Sequence, residues 1–340
     1  MKKTFALISA LMLCAALFFG CAASQTVSTA GDGEAALSED GEKTVVRLAS
    51  LMGPTTMGLV GLLEKAGEDA LSYEVESGVY GAADEITGLL TTGEIDMAAI
   101  PCNLAATLYA KTGGSLKVAA VNTLGVLYVV EMGESVSSVA DLEGKTVYST
   151  GMGTTPEYVF NAILSANGLD PAADLTIEFR SEAAEIAALL ATEDSGGALA
   201  VLPQPYVTTV LNQNENARIA LDLTSEWGSV SENSLVTGVL VVSSSFAEAN
   251  PETVDAFLAD YKDSADWVNA NPVEAAVLIE GYGIVAKAAV AEAALPYCNI
   301  VCTTGGEMKA DISSYLGVLY GYNPQSVGGA LPDDAFYYGA

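Results

Sequence analysis

Residues 149–158 read Ser-Thr-Gly-Met-Gly-Thr-Thr-Pro-Glu-Tyr and are well suited to hold a small molecule. Gly151 and Gly153 allow the backbone to approach a ligand closely. Thr154 or Thr155 can cap the helix that follows, and free N–H groups at a helix start can donate to a ligand oxygen. The alternative is a capped helix start without a ligand. Because the loop directly follows a predicted strand, we favour ligand contact.

Segments 53–58, 101–103 and 203–206 also follow predicted strands. In open α/β sheets, ligands bind beyond the carboxyl ends of the strands. The predicted ligand-binding residues are therefore Thr55, Thr56, Met57, Asn103, Thr123, Gly151, Gly153, Thr154, Thr155, Tyr158, Gln204, Tyr206 and Thr237. The two tyrosines of this set can stack on a planar ligand, and its methionine can pack on the ligand's edge. For each of these three side chains, burial in the core is the alternative.

The chain contains no histidine, which excludes histidine-dependent catalytic triads and removes the commonest transition-metal ligand. We therefore predict no catalytic residue, no metal site and no cofactor. Beyond the N-terminal segment lie three cysteines, Cys102, Cys298 and Cys302. One disulfide between Cys102 and one of the other two is compatible with the sequence, and buried free thiols are the alternative.

The formal net charge of −30 excludes a nucleic-acid-binding role, because such a surface repels phosphate. None of the four loops contains lysine or arginine, and Glu157 adds a negative charge to the loop at 149–158. A neutral, heterocyclic, zwitterionic or weakly basic solute therefore fits better than a dianion. Arg180 or Lys145 could still reach the site in the folded chain.

From Thr44 onward, strand-like and helix-like segments alternate, which favours an α/β fold with a mostly parallel sheet. Segments 126–131 and 236–243 are long and strongly β-prone, and a second α/β set lies between them. The pattern predicts one lobe interrupted by another, with two connecting crossings that bring Thr123 and Thr237 to the site. The aromatic run 336–338 could pack back on the first lobe.

The N-terminus combines Lys2 and Lys3 with an apolar run from Phe5 to Phe19, followed by Gly20 and Cys21. This is the composition of a secretory signal, and the run is too short for a comfortable membrane span. A small residue before cysteine resembles a lipoprotein cleavage site, although Phe18 stands where leucine is commonest. We predict a lipoprotein signal at 1–20 and a lipidated Cys21. An ordinary cleavable signal is the alternative.

Five stretches form a recognisable series along the chain: 93–98 (Gly-Glu-Ile-Asp-Met-Ala), 139–147 (Val-Ala-Asp-Leu-Glu-Gly-Lys-Thr-Val), 167–170 (Asn-Gly-Leu-Asp), 202–206 (Leu-Pro-Gln-Pro-Tyr) and 250–254 (Asn-Pro-Glu-Thr-Val). In this order they resemble the solute-binding proteins of ABC importers in the nitrate/sulfonate/taurine/thiamine-precursor group. The resemblance implies the two-lobed type II periplasmic-binding-protein fold, with ligand in the cleft and two crossover strands. We expect a flexible acidic tether with the lipidated cysteine at 21–43, a first lobe at 44–125 and 240–340, and a second lobe at 126–239.

The resemblance also implies a function. We expect a monomer, lipid-anchored on the extracytoplasmic face of the membrane, which captures a small-molecule solute and delivers it to an ABC permease and its ATPase. An extracellular solute sensor is the main alternative, and an enzyme on the same fold is a weaker one, because related pyrimidine-synthesis enzymes use a histidine that this chain lacks.

Overall fold

A computed structural model describes residues 43–192 and 196–340 of the chain. The expected signal segment, Cys21 and the tether as far as residue 42 lie outside the described residues. Within the described part, none of the helices combines the length and the apolar character that a membrane span requires.

The described residues form two β-sheets and the helices that cover them. The strands are β1 (Val45–Leu51), β2 (Glu74–Tyr80), β3 (Met97–Pro101), β4 (Leu116–Thr123), β5 (Leu127–Met132), β6 (Thr146–Ser149), β7 (Thr176–Phe179), β8 (Leu199–Pro203), β9 (Ala217–Asp222), β10 (Gly238–Ser243) and β11 (Ile300–Thr303).

The helices follow most strands, as the alternating pattern predicted. They are α1 (Pro54–Met57), α2 (Val60–Gly67), α3 (Ala83–Thr92), α4 (Cys102–Thr112), α5 (Thr155–Ala166), α6 (Ala183–Leu190), α7 (Tyr206–Gln213), α8 (Leu223–Glu226), α9 (Ser244–Ala249), α10 (Pro251–Ala270), α11 (Pro272–Gly281), α12 (Ala288–Ala294) and α13 (Gly305–Tyr322). Short 3₁₀ turns lie at Val139–Leu142, Trp227–Ser229, Leu295–Tyr297, Pro324–Val327 and Asp334–Phe336.

The two sheets share one topology. The first has the order β11-β4-β10-β3-β1-β2 and the second the order β7-β6-β8-β5-β9. In the five-strand order that the sheets have in common, one strand runs antiparallel to both neighbours: β10 pairs antiparallel with β3 and β4, and β5 pairs antiparallel with β8 and β9. The first sheet has a sixth strand, β11, which pairs antiparallel with β4. The chain therefore enters the second sheet at β5 and returns to the first at β10. This confirms the predicted α/β fold with two lobes and two crossover strands.

The turn before β6 illustrates how the sequence specifies local structure. Ser138 precedes the 3₁₀ turn Val139–Leu142, and the Asp141 carboxylate accepts from the backbone N–H groups of Ser137 and Ser138 at 2.9 and 2.8 Å. These hydrogen bonds lower the pKa of Asp141. Gly144 has φ 72°, the left-handed conformation expected of a glycine in this turn.

The C-terminal part of the chain contacts both lobes. Helix α13 packs against β4 of the first sheet and against α5 of the second lobe. The tail then returns to the first sheet, where the Tyr338 backbone N–H donates to the Val118 carbonyl at 2.9 Å and Phe336 is fully buried. One apolar core consequently includes side chains of both sheets, such as Ile100 and Val129.

Candidate functional site

The predicted loops of the two lobes meet where the parallel strands end. Asn103, in the first turn of α4 after β3, forms hydrogen bonds with the loop that follows β6. Elsewhere between the lobes, the Tyr128 hydroxyl of β5 donates to the Tyr297 carbonyl at 3.4 Å, and α7 packs against α12. The carboxyl ends of both sheets therefore face one shared region, where the sequence placed the site.

One side of this region is a fully buried hydrogen-bond cluster. The Thr155 hydroxyl donates to Asn103 Oδ1 at 3.1 Å, and Asn103 Nδ2 donates to the carbonyl oxygens of Ser326 at 3.1 Å and Gly153 at 3.5 Å. The Tyr315 hydroxyl donates to Thr155 Oγ1 at 3.4 Å, and burial raises the pKa of Tyr315. We call Asn103, Thr155, Tyr315 and Ser326 the interlobe cluster.

The interlobe cluster joins two predicted site residues to two residues that sequence reasoning missed. Tyr315 lies on α13 and Ser326 lies in the C-terminal 3₁₀ turn, far from the four loops along the chain. These two residues join the interlobe cluster only because the C-terminal part of the chain packs against both lobes, and no local sequence motif predicts this contact. Asn103 and Thr155 are 1% and 3% exposed, so both are committed to protein partners in this structure.

The loop before α5 is held by its own side chains. Gly151 and Gly153 have φ angles of 70° and 75°, so both glycines occupy the left-handed region. Thr154 is the N-cap residue of α5, but its hydroxyl donates to the Gly151 carbonyl at 2.8 Å instead of capping the helix. The Gly153 N–H donates to Glu157 Oε2 at 2.5 Å. The loop's own carboxylate thus binds an N–H that a ligand oxygen could otherwise use.

The loop after β1 forms the short helix α1. The hydroxyls of Thr55 and Thr56 both donate to the Leu51 carbonyl, at 2.5 and 2.6 Å. Met57 is fully buried, and its Sδ lies 3.7 Å from Cys298 Sγ. Of these three predicted residues, Thr55 is the only one that is not fully buried.

The two crossings are hydrogen-bonded to each other. The Thr237 backbone N–H donates to the Thr123 carbonyl at 3.1 Å, and the Thr237 hydroxyl donates to the Leu124 carbonyl. Asn122 Nδ2 donates to the Thr55 carbonyl at 3.1 Å. Asn122 Oδ1 and Thr123 Oγ1 are buried and have no hydrogen-bond partner among the described residues. A β-bulge at this end of β4 brings both side chains to the same face.

Gln204 lies against the first crossing from the second lobe. Its backbone N–H donates to the Val126 carbonyl at 3.0 Å, and its Oε1 accepts from the backbone N–H and the hydroxyl of Thr208 at 3.2 and 2.8 Å. The side chain therefore holds the start of α7. The residues that surround the two crossings are named the crossing cluster: Asn122, Thr123, Gln204 and Thr237.

The two tyrosines predicted to stack on a ligand are half-buried. Burial and the charge of Glu157 raise the pKa of Tyr158, and burial and the charge of Glu182 raise the pKa of Tyr206. Both rings pack against the apolar cores of the protein. Each phenol stays neutral at physiological pH and can act as donor or acceptor.

Two cations could have reached the site, and only one of them lies at the carboxyl ends of the strands: the Arg180 backbone N–H donates to the Ser149 carbonyl at 2.9 Å, beside the loop at 149–158. Arg180 follows β7, where its guanidinium pairs with Glu178 at 3.0 Å and lies 5.0 Å from the centre of the Tyr148 ring. Lys145 precedes β6 at the opposite edge of the sheet, and its Nζ donates to Ser135 Oγ at 3.0 Å. The four predicted loops contain no lysine or arginine, and Arg180, the cation next to them, is paired with Glu178.

The described residues hold no group of histidine, cysteine, aspartate and glutamate side chains that could bind a metal ion. Cys102, Cys298 and Cys302 are free thiols in this structure. Burial raises the pKa of all three, that of Cys302 to about 11, so the thiols stay protonated and unreactive at neutral pH.

A cavity of about 570 Å³ opens at the opposite edge of the second sheet. Its lining includes Thr146 and Leu199, which begin β6 and β8. Because ligands of open α/β sheets bind at the carboxyl ends of the strands, this cavity is not the candidate site.

Comparison with known proteins gives a match to one protein family. A family model described as "NMT1/THI5 like" matches residues 73–275, which is more than half of the 340 residues. A search of the curated proteins found no match.

Solved structures share the fold over nearly the whole described chain. A crystal structure of an ABC transporter from Parabacteroides distasonis is 25% identical, covers 87% of this chain and 99% of its own, and gives a TM-score of 0.72. The periplasmic aliphatic sulphonate binding protein SsuA from Escherichia coli is 16% identical, with 87% and 92% covered and a TM-score of 0.69. A Candida albicans gene product with the generic periplasmic binding protein fold is 14% identical, with 86% and 93% covered and a TM-score of 0.56.

Proposed function

The chain belongs to the NMT1/THI5-like family and has the two-lobed periplasmic-binding-protein fold, and we propose that it is the solute-binding component of an ABC importer. It captures a small solute between its lobes and delivers it to a permease and its ATPase. It performs no chemistry, in keeping with the lack of histidine in the chain.

The observation that carries this proposal is the meeting of the two lobes at the carboxyl ends of their parallel strands. Each sheet contributes loops to this region, and two chain crossings connect the sheets there. Two rigid bodies joined by short crossings can open and close around a ligand by a hinge motion. The proposed lobes comprise residues 44–125 with 240–340, and residues 126–239.

We place the solute where the predicted loops and crossings meet, against the crossing cluster and not against Asn103 and Thr155, which are paired with protein atoms. The crossing cluster supports this placement, because Asn122 Oδ1 and Thr123 Oγ1 are buried without a protein partner. Such atoms are rare in proteins and usually bind a ligand or an ordered water. The absence of lysine and arginine from the loops favours a neutral, heterocyclic or zwitterionic solute. Titration of the purified protein with sulfonates and nitrate tests that preference, because tight binding of these anions alone contradicts it.

A lipid on Cys21 would keep the protein on the extracytoplasmic face of the membrane, near its permease. We propose that it works there as a monomer. The residues that carry this proposal are the N-terminal lysines, the short apolar run and Gly20-Cys21. Membrane fractionation of cells that express the wild-type protein and Cys21→Ser tests it. The variant should leave the membrane fraction, and continued attachment contradicts a lipid anchor.

The first test of the receptor function is a thermal-shift screen. The panel contains heterocycles, amino acids, polyamines, sulfonates and nitrate. A solute at about a hundred times its dissociation constant stabilises the folded state by about 2.7 kcal/mol, which a melting curve resolves. A reproducible shift by one class supports the receptor, and no shift by any class contradicts it.

A further inference from the structure

Two buried amide side chains use only half of their hydrogen-bonding capacity. Asn122 is fully buried, and its Nδ2 donates to the Thr55 carbonyl at 3.1 Å, while its Oδ1 has no partner among the described residues. Gln204 is 2% exposed, and its Oε1 accepts twice from Thr208. Within the described part of the chain, Gln204 Nε2 donates to no atom.

The partners determine which end of each amide is unused. The Thr55 carbonyl can only accept, so the nitrogen of Asn122 must face it and the oxygen must point away. The Thr208 backbone N–H can only donate, so the oxygen of Gln204 faces it and the nitrogen points away. One acceptor and one donor therefore remain without a protein partner, and they come from different lobes.

Both amides lie beside the same crossing. The Gln204 backbone N–H donates to the Val126 carbonyl, and Asn122 precedes Val126 by four residues on the strand that leads into the crossing. Gly238, on the returning strand, packs directly against Asn122. A Cβ atom at position 238 would lie 2.6 Å from Asn122 Oδ1, which therefore faces a residue without a side chain.

We infer that Asn122 and Gln204 determine the specificity of the proposed receptor for a neutral solute that carries both an N–H donor and an acceptor, as cyclic amides and ureas do. The solute's N–H donates to Asn122 Oδ1, and its carbonyl or ring nitrogen accepts from Gln204 Nε2. Such a solute bridges the two lobes with complementary hydrogen bonds. This inference rests on the proposed function.

The same arrangement disfavours anions. A sulfonate or nitrate has no hydrogen to donate, so it would leave Asn122 Oδ1 buried and unpaired. The Gly153 N–H, which could bind an anion, already donates to Glu157. Arg180, the nearest guanidinium after β7, is paired with Glu178. An anionic solute would therefore leave Asn122 Oδ1 unpaired and would find the Gly153 N–H and the Arg180 guanidinium already paired.

Matched probes test the inference without any mutation. Isothermal titration of the full, detergent-solubilised chain compares uracil and 2-pyrrolidinone with 1,3-dimethyluracil and N-methylpyrrolidinone, and with ethanesulfonate and nitrate. We expect at least one N–H probe to bind and its N-methyl counterpart to bind about 10- to 100-fold more weakly, the range for one lost buried hydrogen bond. Equal binding of a methylated pair contradicts the inference.

Other outcomes separate the inference from the function on which it rests. Binding of the anions alone keeps the receptor and contradicts the assigned specificity. If another solute class in the thermal-shift panel binds while the cyclic amides do not, the receptor function is likewise supported and the inferred specificity is contradicted. If neither panel yields any binding, both the receptor and its specificity are contradicted.

Variants then test each amide with the N–H probe that binds. Gln204→Glu keeps an oxygen for Thr208 and replaces the free donor by an acceptor, and Asn122→Leu removes the free acceptor. Asn161→Leu is the matched control, because Asn161 Oδ1 is also buried without a partner but lies on α5. We expect the first two variants to weaken binding about 10- to 100-fold and the control to leave it unchanged.

An ordered water that fills the space between the amides would give a different result. In that case the melting temperature of Gln204→Glu and Asn122→Leu would fall, while the affinity of each folded variant for the probe would equal that of the wild type. That outcome contradicts the inference. Melting curves of every variant without ligand show that affinities are compared between folded proteins.

Discussion

The interlobe cluster and the crossing cluster are both polar, both buried and both located between the lobes, yet they differ in hydrogen-bond pairing. In the interlobe cluster, Asn103 uses its oxygen and its nitrogen on protein partners. In the crossing cluster, Asn122 and Gln204 each use one end of the amide. Burial and loop position are the same in both, so only the pairing of donors and acceptors separates a structural contact from a candidate ligand contact.

The largest loss of stability near the crossing cluster is expected at Gly125, the middle residue of the first crossing. A Cβ atom here would lie 2.9 Å from Thr224 Cβ and closer still to the Thr224 hydroxyl. Because Gly125 is buried, we expect Gly125→Ala to reduce the free energy of unfolding by about 2–3 kcal/mol through overpacking. Chemical denaturation measures this change.

Removal of the clashing side chain provides the control for Gly125→Ala. Thr224 Oγ1 is buried without a partner among the described residues, so Thr224→Ala alone should change stability little. The double variant Gly125→Ala, Thr224→Ala should recover most of the lost stability. If it remains as unstable as Gly125→Ala, the crowding at this crossing does not explain the effect.

The second prediction compares the two asparagines directly. Asn103→Leu removes the acceptor of the Thr155 hydroxyl and leaves the Ser326 carbonyl only the Thr107 hydroxyl at 3.4 Å, so we expect a loss of about 2 kcal/mol in the absence of ligand. Asn122→Leu removes an unpaired oxygen together with one hydrogen bond to Thr55, so the loss should be smaller. Equal losses in denaturant titrations would remove the distinction between the clusters.

Most of the fold was predictable because its central strands are short apolar runs between helices. Strands β5 and β10 begin within two residues of the predicted segments 126–131 and 236–243. The edge strands β9 and β11 were missed. An edge strand is buried less completely, and the residues of β9 (Ala-Arg-Ile-Ala-Leu-Asp) are mostly exposed or half-buried. Their apolar pattern is correspondingly weak.

The site was predictable as a set of loops, but not as a set of contacts. Strand ends identify the loops at 53–58, 101–103, 149–158 and 203–206, and the structure brings loops of both sheets together. The pairing of Asn103 with Thr155, and of Gly153 with Glu157, depends on how the lobes and side chains pack. Sequence spacing carries no information about such pairing. Polar groups with a hydrogen-bond partner in the protein therefore could not be distinguished from polar groups without one.

A smaller effect is expected within the interlobe cluster itself. Thr155→Val keeps the shape of the side chain and removes the hydroxyl that donates to Asn103 and accepts from Tyr315. We expect a loss of about 1 kcal/mol, half of that for Asn103→Leu, because one partner of Asn103 is lost and two remain. Thermal melting with Tyr315→Phe as the companion variant measures this change. If Thr155→Val loses more stability than Asn103→Leu, the expected order of the two losses is contradicted.

The smallest expected effect concerns charge beside the interlobe cluster. Glu157→Gln keeps an oxygen for the Gly153 N–H, now 2.5 Å from Glu157 Oε2, and removes one negative charge from the loop. Since like charges within a few ångströms repel, we expect ethanesulfonate and nitrate to bind a few-fold more tightly at low salt, with the gain falling as ionic strength rises. Stability should change by only about 0.5 kcal/mol. Glu143→Gln is the control, because it removes the same charge from the turn before β6, at the opposite edge of the sheet. Equal gains in both variants would attribute the effect to net charge, whereas a gain confined to Glu157→Gln would show that this carboxylate keeps anions from the loop.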